Sequence, residues 1–279
     1  MQNLLKLSAL SLVAAAVCAQ AQIQPVVSGD NGEGKVDWGD RYIIASGIGA
    51  PNPDLPEAAQ RPAAIRAATM VAVRNALETA KGILLNSSTT VENFMTTSDI
   101  ITTKVSGFVK GFEQEGRTKY MSDGSVEVTM KIPLDGINGL GNQLYSGDIG
   151  DKPAVTKFEG KKAKEKTVFT GLIIDCRGLN VKPALSAKIL DQSGKEVYGS
   201  AYISREWAVK YGMVGYAKNI EQAAKLDRLG EAPGKIKAVK ASGQNSTDVV
   251  ISDEDAADVR SAAKNLKFLS QCRVVFVID

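Results

Sequence analysis

The side chains best able to do chemistry are few and scattered. The 279-residue chain contains no histidine. This removes His-based triads, ordinary zinc sites and the near-neutral proton shuttle that imidazole supplies. Ser261-Ala262-Ala263-Lys264 has S-x-x-K spacing, which sets an amine one helical turn from a hydroxyl, the nucleophile arrangement of penicillin-recognising enzymes. Neither S-D-N nor K-T-G accompanies it, and it falls inside a helical stretch with a simpler explanation. Asp253-Glu254-Asp255 could pass for a metal site. The trio follows Ser252, however, where a helix begins and its dipole favours acidic groups. Gly47-x-Gly49 opens like a phosphate-binding loop, but the third glycine is absent and Pro51, Pro53 and Pro56 stand where a helix should start. Turn glycines are the simpler expectation. No acidic residue is marked out as half of a glycosidase-type pair. The sequence therefore predicts no catalytic residue, no metal site and no cofactor.

Two further groups stand out. Cys176 and Cys272 fall on the first and last predicted strands of one domain. In an oxidising compartment they form either a disulfide or two buried free thiols. Closing so long a loop is worth about 4–5 kcal/mol in the chain-entropy account. Aromatics gather at Tyr198, Tyr202, Trp207, Tyr211 and Tyr216 in a chain only 6% aromatic. They read either as ordinary packing or as a ligand or partner surface around Trp207, Tyr211 and Tyr216.

The elements that must position these groups begin with an export leader. Lys6 precedes an apolar run from Leu7 to Val17, and Ala19-Gln20-Ala21 is an A-x-A cleavage site ahead of Gln22. Cys18 invites a lipoprotein reading. A lipobox needs Gly, Ala or Ser before the cysteine, and here it is Val17, so cleavage after Ala21 is preferred to lipidation. Residues 22–39 are polar and read as a flexible arm. Arg41 to Gly49 reads as a strand. From Pro62 to Ala80, an alanine-rich stretch predicts a helix that lies close on a sheet, stopped by Lys81 and Gly82. Ile83 to Val91 reads as a strand, and Ser98 to Phe108 as a short amphipathic segment.

Lys110 to Ile132 reads as a hairpin. Val126, Val128, Met130 and Ile132 alternate with Glu127, Thr129 and Lys131, the period of a half-buried strand. A three-residue turn with Gly124 left-handed sets Tyr120 opposite Val126 and Thr118 opposite Val128. It also sets Lys119 opposite Glu127 and Glu115 opposite Lys131. That register gives one apolar face and one face of opposite charges.

Several of these segments carry a resemblance: Ser87-Ser88-Thr89-Thr90-Val91-Glu92-Asn93-Phe94, Ser98-Asp99-Ile100-Ile101, Gly107-Phe108-Val109-Lys110-Gly111 and Asp123-Gly124-Ser125-Val126-Glu127-Val128. The stretch from about 40 to 133 resembles the outer-membrane lipoprotein family of the Lpp-twenty type. That domain is in turn similar to the flagellar protein FlgP and the N-terminal domain of FlgT. The resemblance implies an α+β domain with an envelope-associated, often assembling, non-enzymatic role, and brings no catalytic residue with it. Val17 before Cys18 departs from the lipoprotein pattern.

Residues 136–166 read as a Gly/Lys-rich linker, with Lys157, Lys161, Lys162, Lys164 and Lys166 close together. This run is either solvated or a peripheral contact with membrane or cell wall. The second domain opens with a largely apolar strand from Thr167 to Cys176. A hairpin turns at Gln192-Ser193-Gly194, and short helices start at Ser204 and Asn219. Strands follow at Ile236–Ala241 and Asp248–Ile251. Ser252 with Asp255 predicts a capping box, and Ala256, Val259, Ala263 and Leu266 mark that helix's buried face. Cys272 to Ile278 is a continuous apolar run typical of a central strand.

The expected architecture is α+β, in two small domains, each a mostly antiparallel sheet packed against one main helix. Its parts are a signal peptide (1–21), the arm (22–39), an Lpp-twenty-like domain (40–135), the linker (136–166) and a C-terminal domain (167–279). Net charge is +3, or about +2 once Lys6 is removed, too little for a nucleic-acid partner. The expected function is a non-enzymatic exported envelope protein, periplasmic or outer-membrane-associated, with a structural or assembly role. Self-association or other envelope proteins would be its partners, and a flagellar or motility system its most specific setting. The alternative is a periplasmic binding module for a small ligand or cell-wall fragment, with the site at the Trp207 cluster.

Overall fold

The computed structural model describes residues 27–28, 34–97, 111–145, 149–155, 157, 168–261 and 264–279. The expected leader, Cys18, the Ser98–Phe108 segment, Ala263 and Lys161 through Lys166 lie outside them.

The N-terminal unit is one antiparallel sheet under one long helix. β1 (Val27–Ser28), β2 (Gly34–Asp37) and β3 (Tyr42–Gly49) are followed by α1 (Glu57–Lys81) and α2 (Val91–Thr97). Then come β4 (Glu113–Gln114), β5 (Lys119–Tyr120) and β6 (Val126–Pro133). The sheet order is β1-β2-β3-β6-β4, with β5 also beside β6. Ile43, Ala45, Gly47 and Gly49 of β3 lie opposite Ile132, Met130, Val128 and Val126 of β6. These residues form the face under α1. The helix meets it with Ala64, Ala68, Ala72, Ala76 and Ala80, spaced by four and all buried. The contact is so close that a Cβ on Gly47 would sit 2.3 Å from the Ala68 carbonyl oxygen, and one on Gly49 2.1 Å from that of Ala64. The glycine pair is therefore neither a phosphate loop nor a turn. It is the half of a strand over which a helix backbone passes.

The hairpin register holds beside the turn. Lys119 pairs with Glu127 and Tyr120 with Val126, Gly124 has φ +81°, and Lys119 Nζ lies 3.0 Å from Glu127. Further along, Glu113 rather than Glu115 stands opposite Lys131. The register slips around Gly116, which is left-handed at φ +69°. Glu115 still reaches Lys131 Nζ at 2.9 Å.

Three expectations change. α1 starts at Glu57 rather than Pro62, so Pro62 lies inside the helix on its exposed side, where one intrahelical bond is forfeited. Ile83 to Val91 is a reverse turn, with only an isolated bridge between Leu84 and Thr90. Asn86 Oδ1 accepts from the Ser88 and Thr89 amides at 2.9 and 3.1 Å, and this turn chemistry outweighs the β-propensity of the flanks. Residues 34–39 belong to β2 and its loop rather than to a loose arm, and Trp38 is 1% exposed.

The expected linker is packed in part. α3 (Leu140–Leu144) and Ile149 are built into the core through Leu140, Leu144 and Tyr145. Next come β7 (Leu172–Asp175), β8 (Ile189–Leu190), β9 (Glu196–Tyr198), α4 (Arg205–Tyr211) and β10 (Gly215–Ala217). They are followed by α5 (Ile220–Ala224), β11 (Gly234–Lys237), β12 (Lys240–Ser242) and β13 (Asp248–Val250). α6 (Asp253–Ser261), α7 (Asn265–Ser270) and β14 (Val274–Val277) complete the order.

The α+β class stands, with one departure in this second unit. Its central sheet, β10-β14-β7-β11, is parallel throughout. Leu172 to Ile174 and Val274 to Val277 are buried on both faces, the condition under which parallel sheets form. A smaller sheet, β12-β13-β8-β9, is antiparallel except between β13 and β8. α6 begins with the expected capping box. The Asp255 amide donates to Ser252 Oγ at 3.0 Å, and that hydroxyl donates to Asp255 Oδ2 at 2.6 Å.

The two units share one core. Trp38 meets Tyr216 edge-on with ring centroids 5.3 Å apart, and Tyr216 meets Phe276 at 6.0 Å. The turn after α1 is sewn to the second unit by backbone bonds. The Leu185, Ser186 and Asn245 amides donate to the Leu84, Leu85 and Ser87 carbonyls at 3.0, 2.7 and 3.0 Å.

Candidate functional site

Each chemically competent group found in the sequence has a place in this frame. Ser261 Oγ donates to the Asp258 carbonyl at 2.7 Å, and Lys264 lies beyond the end of α6. The acidic trio forms the first turn of α6, and no cluster of metal-ligating side chains occurs among the described residues. Cys176 and Cys272 are both free and buried. Their strands are neighbours, as the pairing of Leu172 with Val274 shows, but they run parallel. Cys176 therefore follows the end of β7 while Cys272 precedes the start of β14, about 20 Å apart along the strands. No disulfide can join them. Burial pushes the Cys272 thiol up to about 12 and the Cys176 thiol higher still, so neither is a nucleophile at neutral pH.

The aromatic group divides in two. Tyr216 is 2% exposed. Its hydroxyl donates to the Ala184 carbonyl at 2.8 Å and accepts from the Ala184 amide at 2.9 Å, so it belongs to the core and to no surface. Tyr198 and Tyr202 are likewise buried, donating to the Met213 and Glu196 carbonyls at 2.6 and 2.9 Å. Trp207 and Tyr211 remain near the surface, one helical turn apart on α4. Their rings stack with centroids 5.6 Å apart and planes 12° from parallel. Lys210 Nζ lies 5.2 and 5.0 Å from the two ring centres, a geometry in which the ring quadrupole attracts the ammonium.

Beside that stack is an open cleft of about 490 Å³, lined by Gly136, Ile137, Asp151, Arg205, Val209 and Lys210, with Glu206 at its edge. Its apolar wall is Val209 and Ile137, the latter 80% exposed. Its rim alternates in charge. The Gly136 amide donates to the Val209 carbonyl at 2.6 Å and fixes the cleft floor to α4. These residues escaped the sequence reading because Gly136-Ile137-Asn138-Gly139 resembles linker. The only signal was an isoleucine set between turn glycines.

Behind the cleft lies a second group that sequence reasoning missed. Arg41, in the β2–β3 loop at φ +64°, donates from Nε and Nη2 to Asp135 at 2.7 and 2.8 Å. Burial alone would lower the Arg41 pKa, but Asp135 more than offsets this and holds it above its ordinary value. Both side chains press on Gly212 of the second unit, where any Cβ would lie 2.2 Å from Arg41 Nη2. From the other side Arg228, buried, donates to the Tyr211, Gly212 and Cys272 carbonyls. Burial lowers its pKa. Arg228 thus satisfies the carboxyl end of α4, which carries the negative end of the helix dipole, while Arg41 is held by Asp135. The group is a buried junction rather than a cavity.

Residues 171–279 match a family described as the second domain of Treponema pallidum Tp0624. The match covers the parallel sheet, the cleft's α4 wall and both buried cysteines. No curated protein matches the chain.

Proposed function

We propose that this is a non-enzymatic exported envelope protein with a structural or assembly role. The observation that carries the reading is the fate of the reactive groups. The serine hydroxyl, the acidic trio and the glycine pair are spent on helix ends and close packing, and the thiols are buried and protonated. The export leader read from residues 1–21 and the Lpp-twenty resemblance of 40–133 support the setting. The flagellar or motility form of the reading is supported by that resemblance alone. Light scattering on the processed chain, Gln22–Asp279, tests it. Defined particles larger than one chain, visible by electron microscopy, are expected. A monomer at every concentration would overturn the self-assembling form.

A second reading is favoured by the cleft. A cell-wall fragment carrying both carboxylate and amine groups would meet Arg205 and Lys210 on one hand and Asp151 and Glu206 on the other, with Val209 and Ile137 beneath. Muropeptides should then quench Trp207 fluorescence, and Lys210→Ala should weaken the effect. No change across a muropeptide titration would remove this reading.

A further inference from the structure

We propose that the outer ridge of α1 is a docking surface for anionic phospholipid bilayers. Arg66, Met70 and Arg74 recur every four residues on the side of the helix turned away from the sheet, about 6 Å apart along its axis. Met70 stands between the arginines 66% exposed, and Ala67 beside it is exposed and small. Between Glu57 and Glu78 the helix carries Arg61, Arg66 and Arg74 and no acidic residue. Glu78, the one carboxylate within a turn of Arg74, is taken by Lys81 at 2.7 Å. Arg61 is not part of this ridge: it lies on the sheet side of the helix, over the ring of Tyr120 at 5.0 Å from its centre.

The opposite face of the same unit shows what a water-facing surface of this protein looks like. There Lys119 pairs with Glu127 and Lys131 with Glu115, and Ser46 bonds Thr129 at 2.8 Å. Ile48 stands 57% exposed on that face, but each of these two lysines has a carboxylate beside it. The α1 ridge instead combines two arginines that have no ion-pair partner among the described residues with a protruding thioether. That composition suits a headgroup layer, where cations meet lipid phosphate and Met reaches toward the acyl boundary. Each basic residue near an anionic surface contributes about 1 kcal/mol, screened within a Debye length.

The proposal adds a partner to the envelope reading without depending on assembly, since vesicle binding and particle mass are measured separately. The processed chain is sedimented with vesicles of phosphatidylglycerol mixed with phosphatidylcholine, and with vesicles of phosphatidylcholine alone. Binding to the anionic vesicles only, weakening with salt, is expected. Arg66→Gln with Arg74→Gln should lower the partition about 30-fold, and Met70→Ser should lower it further. All three positions are exposed, so circular dichroism of the variants should match the parent. A parallel variant with Lys161, Lys162, Lys164 and Lys166 changed to Gln should still bind. Three results would each overturn the proposal: no binding, equal binding to neutral vesicles, or loss confined to the lysine variant. An acidic protein would then be the better candidate for the ridge.

Discussion

The two units solve the same packing problem by opposite means. In the first, a helix and a sheet approach until backbone nearly touches backbone, with Gly47 and Gly49 under the Ala64–Ala80 stripe. At this crossing the buried residues are small, and stability comes from short-range contacts that a single added carbon would abolish. In the second, large side chains fill both faces of a parallel sheet, and Ile173, Ile174, Val275 and Phe276 are all 1% exposed or less. There stability comes from area removed from water. The first unit should thus be intolerant of added atoms and the second of removed ones.

Gly49→Val breaks the comparison if it is tolerated. The new Cβ would collide with the Ala64 carbonyl, and a backbone cannot yield as a flexible side chain does. We expect a loss of more than about 4 kcal/mol in urea unfolding, with the N-terminal unit melting first. Phe276→Ala should cost about 3–5 kcal/mol by leaving a cavity against Tyr216. Asp135→Ala tests the junction rather than either unit. It leaves Arg41 buried and uncompensated, a change worth about 3–4 kcal/mol, and unfolding should then show two transitions where the parent shows one.

The smaller predictions concern charges. Burial alone would raise the pKa of Asp191, but hydrogen bonds from Ser193 and Arg260 outweigh it and hold the carboxyl at about 2, below its ordinary 3.8. A carboxyl depressed in the folded state stabilises it above the unfolded pKa, and that contribution is lost as pH falls. Stability should therefore drop by about 2 kcal/mol between pH 4 and pH 2, and Asp191→Asn should flatten that part of the curve. Lys119→Ala removes an ion pair whose lysine is 67% exposed. It should change stability by about 0.5 kcal/mol or less. A larger loss would mean that the hairpin register depends on this pair.

What the sequence revealed follows the same division. Period-two alternation from Val126 to Ile132 and the charge pattern around Gly124 were enough for the register beside the turn, but not beyond Gly116. Ser252 with Asp255, and Asn219 alone, were enough for two helix starts. These are local rules, and each is satisfied within a few residues. The parallel order of β10, β14, β7 and β11 was hidden because a strand buried on both faces has no alternation to show its partners. The choice between a disulfide and two buried thiols was open for the same reason, since it needed strand direction as well as adjacency. At the candidate site Trp207 and Tyr211 were legible as a surface pair. Tyr216 was not separable from them, because only the fold reveals that Trp38 covers it. The Arg41–Asp135 junction joins residues 94 apart in sequence, and no local pattern announces it.

The placement of β14 sets an order of events in folding. It lies between β10 and β7, yet it is the last of the four strands to emerge in chain order. β7 and β11 can pair early, but β10 has no partner in its sheet until β14 slides into the gap. Until then two strand edges stand open, and Trp38 and Tyr216 have only part of their wall. The same open edges make that interval the time of greatest exposure to aggregation, and slow insertion of β14 should limit the folding rate.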